Sequence, residues 1–257
     1  MGDVLVLCYH AVSDRWPSPL AVTPRQLETQ LRVLLRRGYR GAPFAQAVTS
    51  PPAELSLAVT FDDGYRSVLT HALPVLARLG LTATVFVPTD FVGVDAPMSW
   101  PGIEQWVGGP YEDELRGMSW DELASLRDAG WEIGSHTCSH PWLSRLDDGA
   151  LGRELAESRR ACEAHVGPCR TLALPYGDGD ARVEGAAAAA GYRAVAGLPG
   201  ASGPRSGWPR VGIYPADRPG RFRLKVARPV RRVRSARFAG SLEAALRGAM
   251  RRRPGAR

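Results

Sequence analysis

The chain has 257 residues, 44% of them apolar and 23% charged, which suits one large α/β domain, alone or with an appendage, whose core needs no disulfide staples. No apolar stretch approaches the length of a membrane span. The net charge of +7 is uneven. Residues 221–257 hold 13 Lys+Arg and one acid (Glu243), a net of +12, whereas residues 1–220 hold 20 Lys+Arg and 25 Asp+Glu, a net of −5. An acidic body without a nucleic-acid motif argues against a nucleic-acid partner.

In chain order, VLVLCYH (residues 4–10) is a compact apolar run fit for a buried strand. Thr23, Pro24 and Gln26 predict an N-cap, a first-turn proline and a capping box. Leu27, Leu31, Leu34 and Leu35 then line one helical face up to Gly38. LSLAVTF (55–61) predicts a second strand, residues 67–79 a helix, and TATVFVP (82–88) a third strand. Residues 93–117, rich in Gly and Pro and carrying Trp100 and Trp106, read as a long loop, a type that often carries function.

Ser119 and Glu122 form a second capping box, opening a helix that stops at Gly130. WEIGSH (131–136) predicts a strand and residues 148–165 a long helix. TLALPY (171–176), an alanine-rich helix at 181–190, YRAVAG (192–197) and PRVGIY (209–214) complete the series. Repeated strand–helix units of this length predict a parallel sheet, closed as a barrel or open and doubly wound.

The chemistry-bearing residues stand at strand ends. LSLAVTF runs into two adjacent carboxylates, Asp62 and Asp63, which raise each other's energy unless a positive charge lies near. His136 and His140 follow WEIG, and α/β active sites gather at the C-terminal ends of strands. Two imidazoles and one carboxylate make an open metal site, so a divalent cation is the expected neutraliser. Either motif alone is commonly structural: HxxxH arises by chance, and a strand-end Asp pair can cap the next helix. Their joint occurrence points to function. In LALPYGDGD (172–180), Pro175 and Tyr176 enter a tight turn that can offer the Tyr176 N–H to an oxyanion. His10 in YHAV ends the first strand on the same face.

TFDDG, SHxxxH and PYG in this order resemble the polysaccharide deacetylase family, the NodB-homology or carbohydrate esterase family 4 proteins. The opening YHAVSDRW and the block MSWDEL…GWEIGSHT resemble its circularly permuted poly-N-acetylglucosamine deacetylase branch. The resemblance covers about residues 4–215. It implies a distorted (β/α)7 TIM-like barrel in residues 1–220, followed by a basic tail over 221–257. It also implies a metal-dependent hydrolase that removes acetyl groups from N-acetylated sugars, with zinc as the usual ion. Carried over by motif, Asp62 is the base, and Asp63, His136 and His140 hold the metal. Tyr176 supplies the oxyanion N–H, and His10 is the acid that the common arrangement places near the C-terminus. Trp142 is the foremost candidate to stack on a sugar, ahead of Trp100 and Trp106, with Pro175 and Tyr176 beside it.

One departure concerns the base. The family carries an arginine just before the proline of the third motif, where this chain has Ala173 and Leu174. Arg210 in WPRVGI is the candidate replacement, against the plain reading of a surface arginine. The missing motif arginine is also the feature that favours a non-catalytic, metal-containing carbohydrate-binding homologue. A nucleic-acid binder working through the tail is the remaining alternative.

MGDVLVLCYH has no positive n-region, and its apolar run is too short for a signal peptide. Cys8, Cys138, Cys162 and Cys169 form no CxxC pair and read as buried free thiols in a reducing compartment. The expected location is therefore cytoplasmic. In the tail, Val226, Val230, Val233 and Phe238 interleave with arginines, so an anionic membrane surface is a candidate partner, and a lipid- or nucleotide-linked glycan precursor a candidate substrate.

Overall fold

A computed structural model describes residues 3–51, 55–198 and 207–231. In chain order the elements are β1 (Asp3–Tyr9), the short strands β2 (Ala11–Val12) and β3 (Ala21–Val22), α1 (Pro24–Leu35), β4 (Arg40–Gly41), α2 (Phe44–Thr49) and β5 (Leu55–Phe61). Then come α3 (Leu73–Arg78), β6 (Thr84–Val87), α4 (Trp120–Asp128), β7 (Glu132–Ser135), α5 (Asp148–Val166) and β8 (Thr171–Ala173). The series ends with α6 (Ala181–Ala189), β9 (Ala194–Gly197), β10 (Trp208–Pro209), β11 (Val211–Gly212) and α7 (Pro219–Lys225).

The sheet runs β10-β9-β8-β7-β6-β5-β1-β11, with β4 beside β5. Every pairing along it is parallel. β10 pairs with β9 and β11 pairs with β1, yet only Arg210 separates them in the chain. They are two halves of one course, and that course joins both edges of the sheet. Counted so, the barrel has seven courses wrapped by helices, the expected distorted (β/α)7 architecture.

Period-2 alternation sorts the strand residues. Leu5, Leu7 and Tyr9 of β1 join the core shared with the helices, whereas Val6 joins a separate cluster inside the barrel. That inner cluster sets Ala42, Ala47, Ala58, Ala173 and Ala196 around two large rings, Phe44 and Phe86, which meet edge to face at 5.7 Å. Small side chains on the strands leave room for the phenyl plug. Gly134 carries this furthest, since a Cβ there would lie 2.6 Å from both Phe86 and Thr171 Oγ1. Above the plug, the same inward phase brings Cys8, Thr60, Asp62, His136 and Arg210 to the axis.

Local sequence signals are met with instructive exceptions. The Ser119–Glu122 capping box forms in full. Thr23 caps α1 by accepting from Gln26 N–H, but the Gln26 amide does not return to close a box. It donates instead to the carbonyls of Tyr214 and Asp217, tying α1 to the segment after β11. The helix expected over 67–79 is a π-turn (Val68–Ala72) followed by α3, because Pro74 lacks the N–H that a continuous α-ladder needs. The single strand expected over 209–214 is the split course β10/β11. All four cysteines are buried, and none is in a disulfide.

The boundary expected at residue 220 falls inside α7. Phe222 and Val226 are buried on the body, and Arg221 and Lys225 pair with Asp217 at 3.1 and 2.7 Å. Arg228 and Arg231 pair with Asp3 at the start of β1. Four of the first five tail cations are therefore joined to the barrel. The remainder of the expected tail, 232–257, lies outside the described residues. Among the described residues, no helix is long and apolar enough to cross a membrane.

Candidate active site

β5 ends at Phe61, and the next two residues diverge. Asp62 continues the inward phase and is buried, its N–H bonded to the Tyr9 carbonyl on β1. Asp63 turns into the left-handed region at φ 69°, which sends its carboxylate toward β7. Thr137 (φ 70°), His140 (φ 61°) and Tyr176 (φ 59°) share that conformation, and these four are all the non-glycine residues with positive φ among the described residues. Left-handed backbone is costly for residues with a Cβ, and here it is confined to one site.

Asp63, His136 and His140 converge with their candidate ligand atoms all within 4.8 Å of one another. Asp63 Oδ1 lies 3.4 Å from Nε2 of each histidine and, though buried, makes no hydrogen bond among the described residues. His136 Nδ1 lies 2.8 Å from the Ala173 carbonyl, so Nδ1 carries the proton and the Nε2 lone pair faces Asp63. An orphaned carboxylate oxygen between two imidazole nitrogens is a donor set that fits a divalent cation. Burial alone would raise the Asp63 pKa, but the two imidazoles and His10 hold it far below the usual carboxylate range. Burial likewise opposes the imidazolium form of His136, yet Asp63, Asp62 and the Ala173 carbonyl push its pKa up. For His140 burial prevails and the pKa falls.

Asp62 has a different partner. Arg210 Nη1 and Nη2 donate to Asp62 Oδ1 and Oδ2 at 2.6 and 2.7 Å, and Nη1 also reaches Thr60 Oγ1 at 3.1 Å. Both side chains are buried, with the guanidinium 5.5 Å above the Phe86 ring. Burial would raise the carboxyl, but the Arg210 charge and hydrogen bonds together with the His136 and His10 charges outweigh it and keep Asp62 ionised. Arg210 is thus no surface arginine. It brings to Asp62, from another strand, the guanidinium that the third motif lacks. Cys8 Sγ adds a third bond, 3.3 Å from Asp62 Oδ2, and burial keeps that thiol protonated.

His10 stands one residue beyond β1, half-buried, with an unpartnered Nδ1. Cys8, His10 and Asp62 also have ligand atoms within 4.8 Å of one another, but both Asp62 oxygens already accept from Arg210. A cation there would compete with the guanidinium, so this second group fits a metal poorly. Pro175 is buried and opens the turn that carries Tyr176. The Tyr176 ring lies edge-on to His140 at 4.6 Å, with its hydroxyl buried and unpartnered and its pKa pushed up to about 12, first by burial and then by Asp63.

The three tryptophans separate. Trp142 is half-buried and stacks on Tyr176 at 4.0 Å, with Arg145 4.7 Å over its ring. Trp106 packs edge-on against Trp16 at 5.9 Å and Tyr111 at 5.7 Å. Trp100 is buried and lies 4.3 Å from His140, nearly parallel to it. Sequence reasoning missed Cys8, Tyr65 and the Trp100 contact. Cys8 shares the inward phase of His10 on β1 and was legible from that spacing. Tyr65, whose buried hydroxyl is pushed well up by burial and by Asp63, follows a tight turn that left no such signal.

The polysaccharide deacetylase family model matches residues 49–195, more than half of the chain. YxkH of Bacillus subtilis (strain 168), named as a polysaccharide deacetylase, is 25% identical over 160 residues, 60% of this chain. The chain spans about half the length of that relative. Among solved structures, IcaB from Ammonifex degensii superposes with a TM-score of 0.70 at 25% identity, covering 88% of this chain and 98% of that one. The Streptococcus pyogenes deacetylase PplD, solved in complex with acetate, gives 0.69 at 18% identity and covers 87% and 98%. The family match includes Asp62, Asp63, His136, His140 and Tyr176, but neither His10 nor Arg210.

Proposed function

The chain belongs to the polysaccharide deacetylase family, and from that premise we propose that it is a carbohydrate N-deacetylase, a hydrolase that removes the acetyl group from an N-acetylated sugar. The observation that supports this best is the division of labour between the two adjacent carboxylates. Asp63 faces two imidazoles with an orphaned oxygen, while Asp62 is clamped by Arg210 and kept ionised beside them.

In this reading Asp63, His136 and His140 hold a divalent ion, with zinc the proposed identity. Such an ion supplies Lewis acidity toward an acyl oxygen and toward water when bound. Asp62 accepts the proton of the attacking water, its carboxylate fixed in direction by the Arg210 fork. The Tyr176 N–H, set by the turn over Pro175, donates to the oxyanion of the tetrahedral intermediate. His10, at the end of the neighbouring strand, donates a proton to the amide nitrogen as acetate departs. Trp142 borders the site behind Tyr176 as the proposed sugar contact.

The non-catalytic alternative drew on the missing motif arginine. With Arg210 on Asp62, no observation favours it. We further propose a lipid- or nucleotide-linked precursor as substrate and a location at the inner membrane face, resting on the basic stretch over 221–257. Acetate release from N-acetylglucosamine-containing oligomers and lipid-linked precursors, with and without a chelator, tests the proposed activity. Release that stops on chelation and returns with zinc is the expected result. No release from any of these substrates by metal-loaded protein counts against it.

A further inference from the structure

We infer that Trp100 is the positioning residue for His140, doing by ring stacking what a hydrogen bond does for His136. The inference rests on His140 being a metal ligand. The two histidines are held by different means. His136 is fixed through Nδ1 by the Ala173 carbonyl at 2.8 Å. His140 has no equivalent, because its Nδ1 is buried and has no hydrogen-bond partner among the described residues. A ligand imidazole ordinarily uses its second nitrogen to fix ring orientation and tautomer. Without that bond, the His140 ring plane is set by what it packs against.

The packing is specific. Trp100 lies 4.3 Å from His140 and 21° from parallel, whereas His136 and Tyr176 meet the ring edge-on at 4.9 and 4.6 Å. Only the indole therefore defines the plane. Trp100 is itself immobilised, with Phe91 edge-on at 5.1 Å. Its loop is stitched at both ends to the Asp63 side of the site. Gly93 N–H donates to Met118 O, and Met118 N–H to Gly64 O, each at 3.0 Å, while Arg66 N–H donates to Arg116 O at 2.8 Å. The loop thus spans from the residues after Asp63 to the ring of His140 and holds two candidate ligands in fixed relation.

The choice of indole follows from electronics. A bound divalent ion draws electron density from an imidazole, and an electron-poor ring is attracted to an electron-rich face, for which Trp is the strongest among side chains. The stack therefore favours the metal-loaded state over the metal-free one, and metal affinity should follow the order Trp, Phe, Leu at position 100.

The test uses full-length protein stripped of metal, with Trp100→Phe and Trp100→Leu compared to the native chain. Cobalt and zinc affinities are measured by competition with a chromogenic chelator, ligand geometry by the visible spectrum of bound cobalt, and folding by thermal melts of the metal-free forms. The expected result is a loss of about tenfold or more in affinity for Trp100→Leu, in the range found when an outer partner of a metal ligand is removed. Trp100→Phe should fall between, and the cobalt spectrum should change in both. Native affinity and a native spectrum in Trp100→Leu overturn the inference. Should Trp100→Leu fail to fold, Trp100→Phe decides: weakened affinity with a native-like metal-free melt supports the role, and unchanged affinity and spectrum overturn it. Failure of the native protein to bind cobalt or zinc removes the metal reading itself, whereas native binding that ignores Trp100 removes this inference alone.

Discussion

His136 presents Nδ1 to the Ala173 carbonyl at 2.8 Å and so turns Nε2 toward Asp63. The ring follows directly on β7 and β8 carries the carbonyl, and the two strands are directly paired through Ser135 and Leu172. One donor of the metal-type triad is thus aimed by the barrel wall itself. His136→Ala should reduce bound metal from about one equivalent per chain to a small fraction of that, as elemental analysis of dialysed protein would show. Full metal content in the variant would rule His136 out as a ligand.

Asp62 and His10 sit on neighbouring strand ends and have no part in the triad. Asp62→Asn and His10→Ala should each keep the metal while slowing acetate release by roughly a hundredfold or more. Asp62→Asn should also lower stability, because it leaves Arg210 buried without its carboxylate. Metal content, circular dichroism and turnover measured on the same preparations separate this from a structural effect. Near-native turnover in His10→Ala would remove the acid role.

Arg210 should be sensitive even to a conservative change. Lysine keeps the charge but cannot make the two-pronged contact with Asp62, so Arg210→Lys should lower turnover at unchanged metal content. Arg210→Met leaves a buried carboxylate without its cation, a change that costs about 3–5 kcal/mol when one partner of a buried pair is removed. Denaturant unfolding should show that loss, and Asp62→Asn in the Arg210→Met background should restore part of it.

Asp3 anchors Arg228 and Arg231, and its behaviour with pH has a definite sign. Burial alone would raise its pKa, but Tyr39 and Arg228 hydrogen bonds and the Arg231 charge bring it below the ordinary value. A depressed carboxyl stabilises the fold fully above the unfolded-state value of about 4 and loses that contribution as pH falls through the folded value. The gap in thermal midpoint between the native chain and Asp3→Asn should be constant from about pH 6 to 8 and close in acid. A gap that widens in acid would contradict the assignment.

The docked start of the basic stretch also dictates how membrane association has to be tested. A cut at residue 220 would strip away buried Phe222 and Val226, whereas a cut after residue 231 keeps them. Full-length protein should sediment with anionic but not neutral liposomes, less so at high salt, and the chain ending at 231 should stay in the supernatant. Equal sedimentation of the two forms would place the membrane contact elsewhere or nowhere.

The metal-type triad and Asp62 were legible because each lies beside an apolar strand in a motif a few residues long. Strand phase and turn chemistry act over that same short range. What escaped notice depended on pairing across the sheet. Arg210 could be nominated from WPRVGI, but its contact with Asp62 follows from the split course β10/β11, which no local pattern announces. Gln26 looked like half of a capping box because local spacing allows it, and long-range carbonyls near Tyr214 and Asp217 prevailed. Trp100 read only as a lesser candidate for a sugar contact, behind Trp142, since an aromatic in a long loop looks alike whether it faces a ligand or packs against the site. The docking of the first tail cations was hidden for a compositional reason: arginines read as solvated until Asp217 and Asp3 are seen beneath them.

The seam sealed by Arg210 also sets an order of events during synthesis. Asp62 emerges from the ribosome 148 residues ahead of the guanidinium that balances it. Until then β1 and β9 are unjoined edges, and an ionised carboxylate at the axis must stay hydrated, which keeps the centre of the barrel from drying. Docking of one short segment then closes the wall and neutralises Asp62 together. A chain truncated before residue 210 is therefore an open sheet with a wet interior, the form that cellular quality control removes, so truncated copies should disappear rather than accumulate as partly active enzyme.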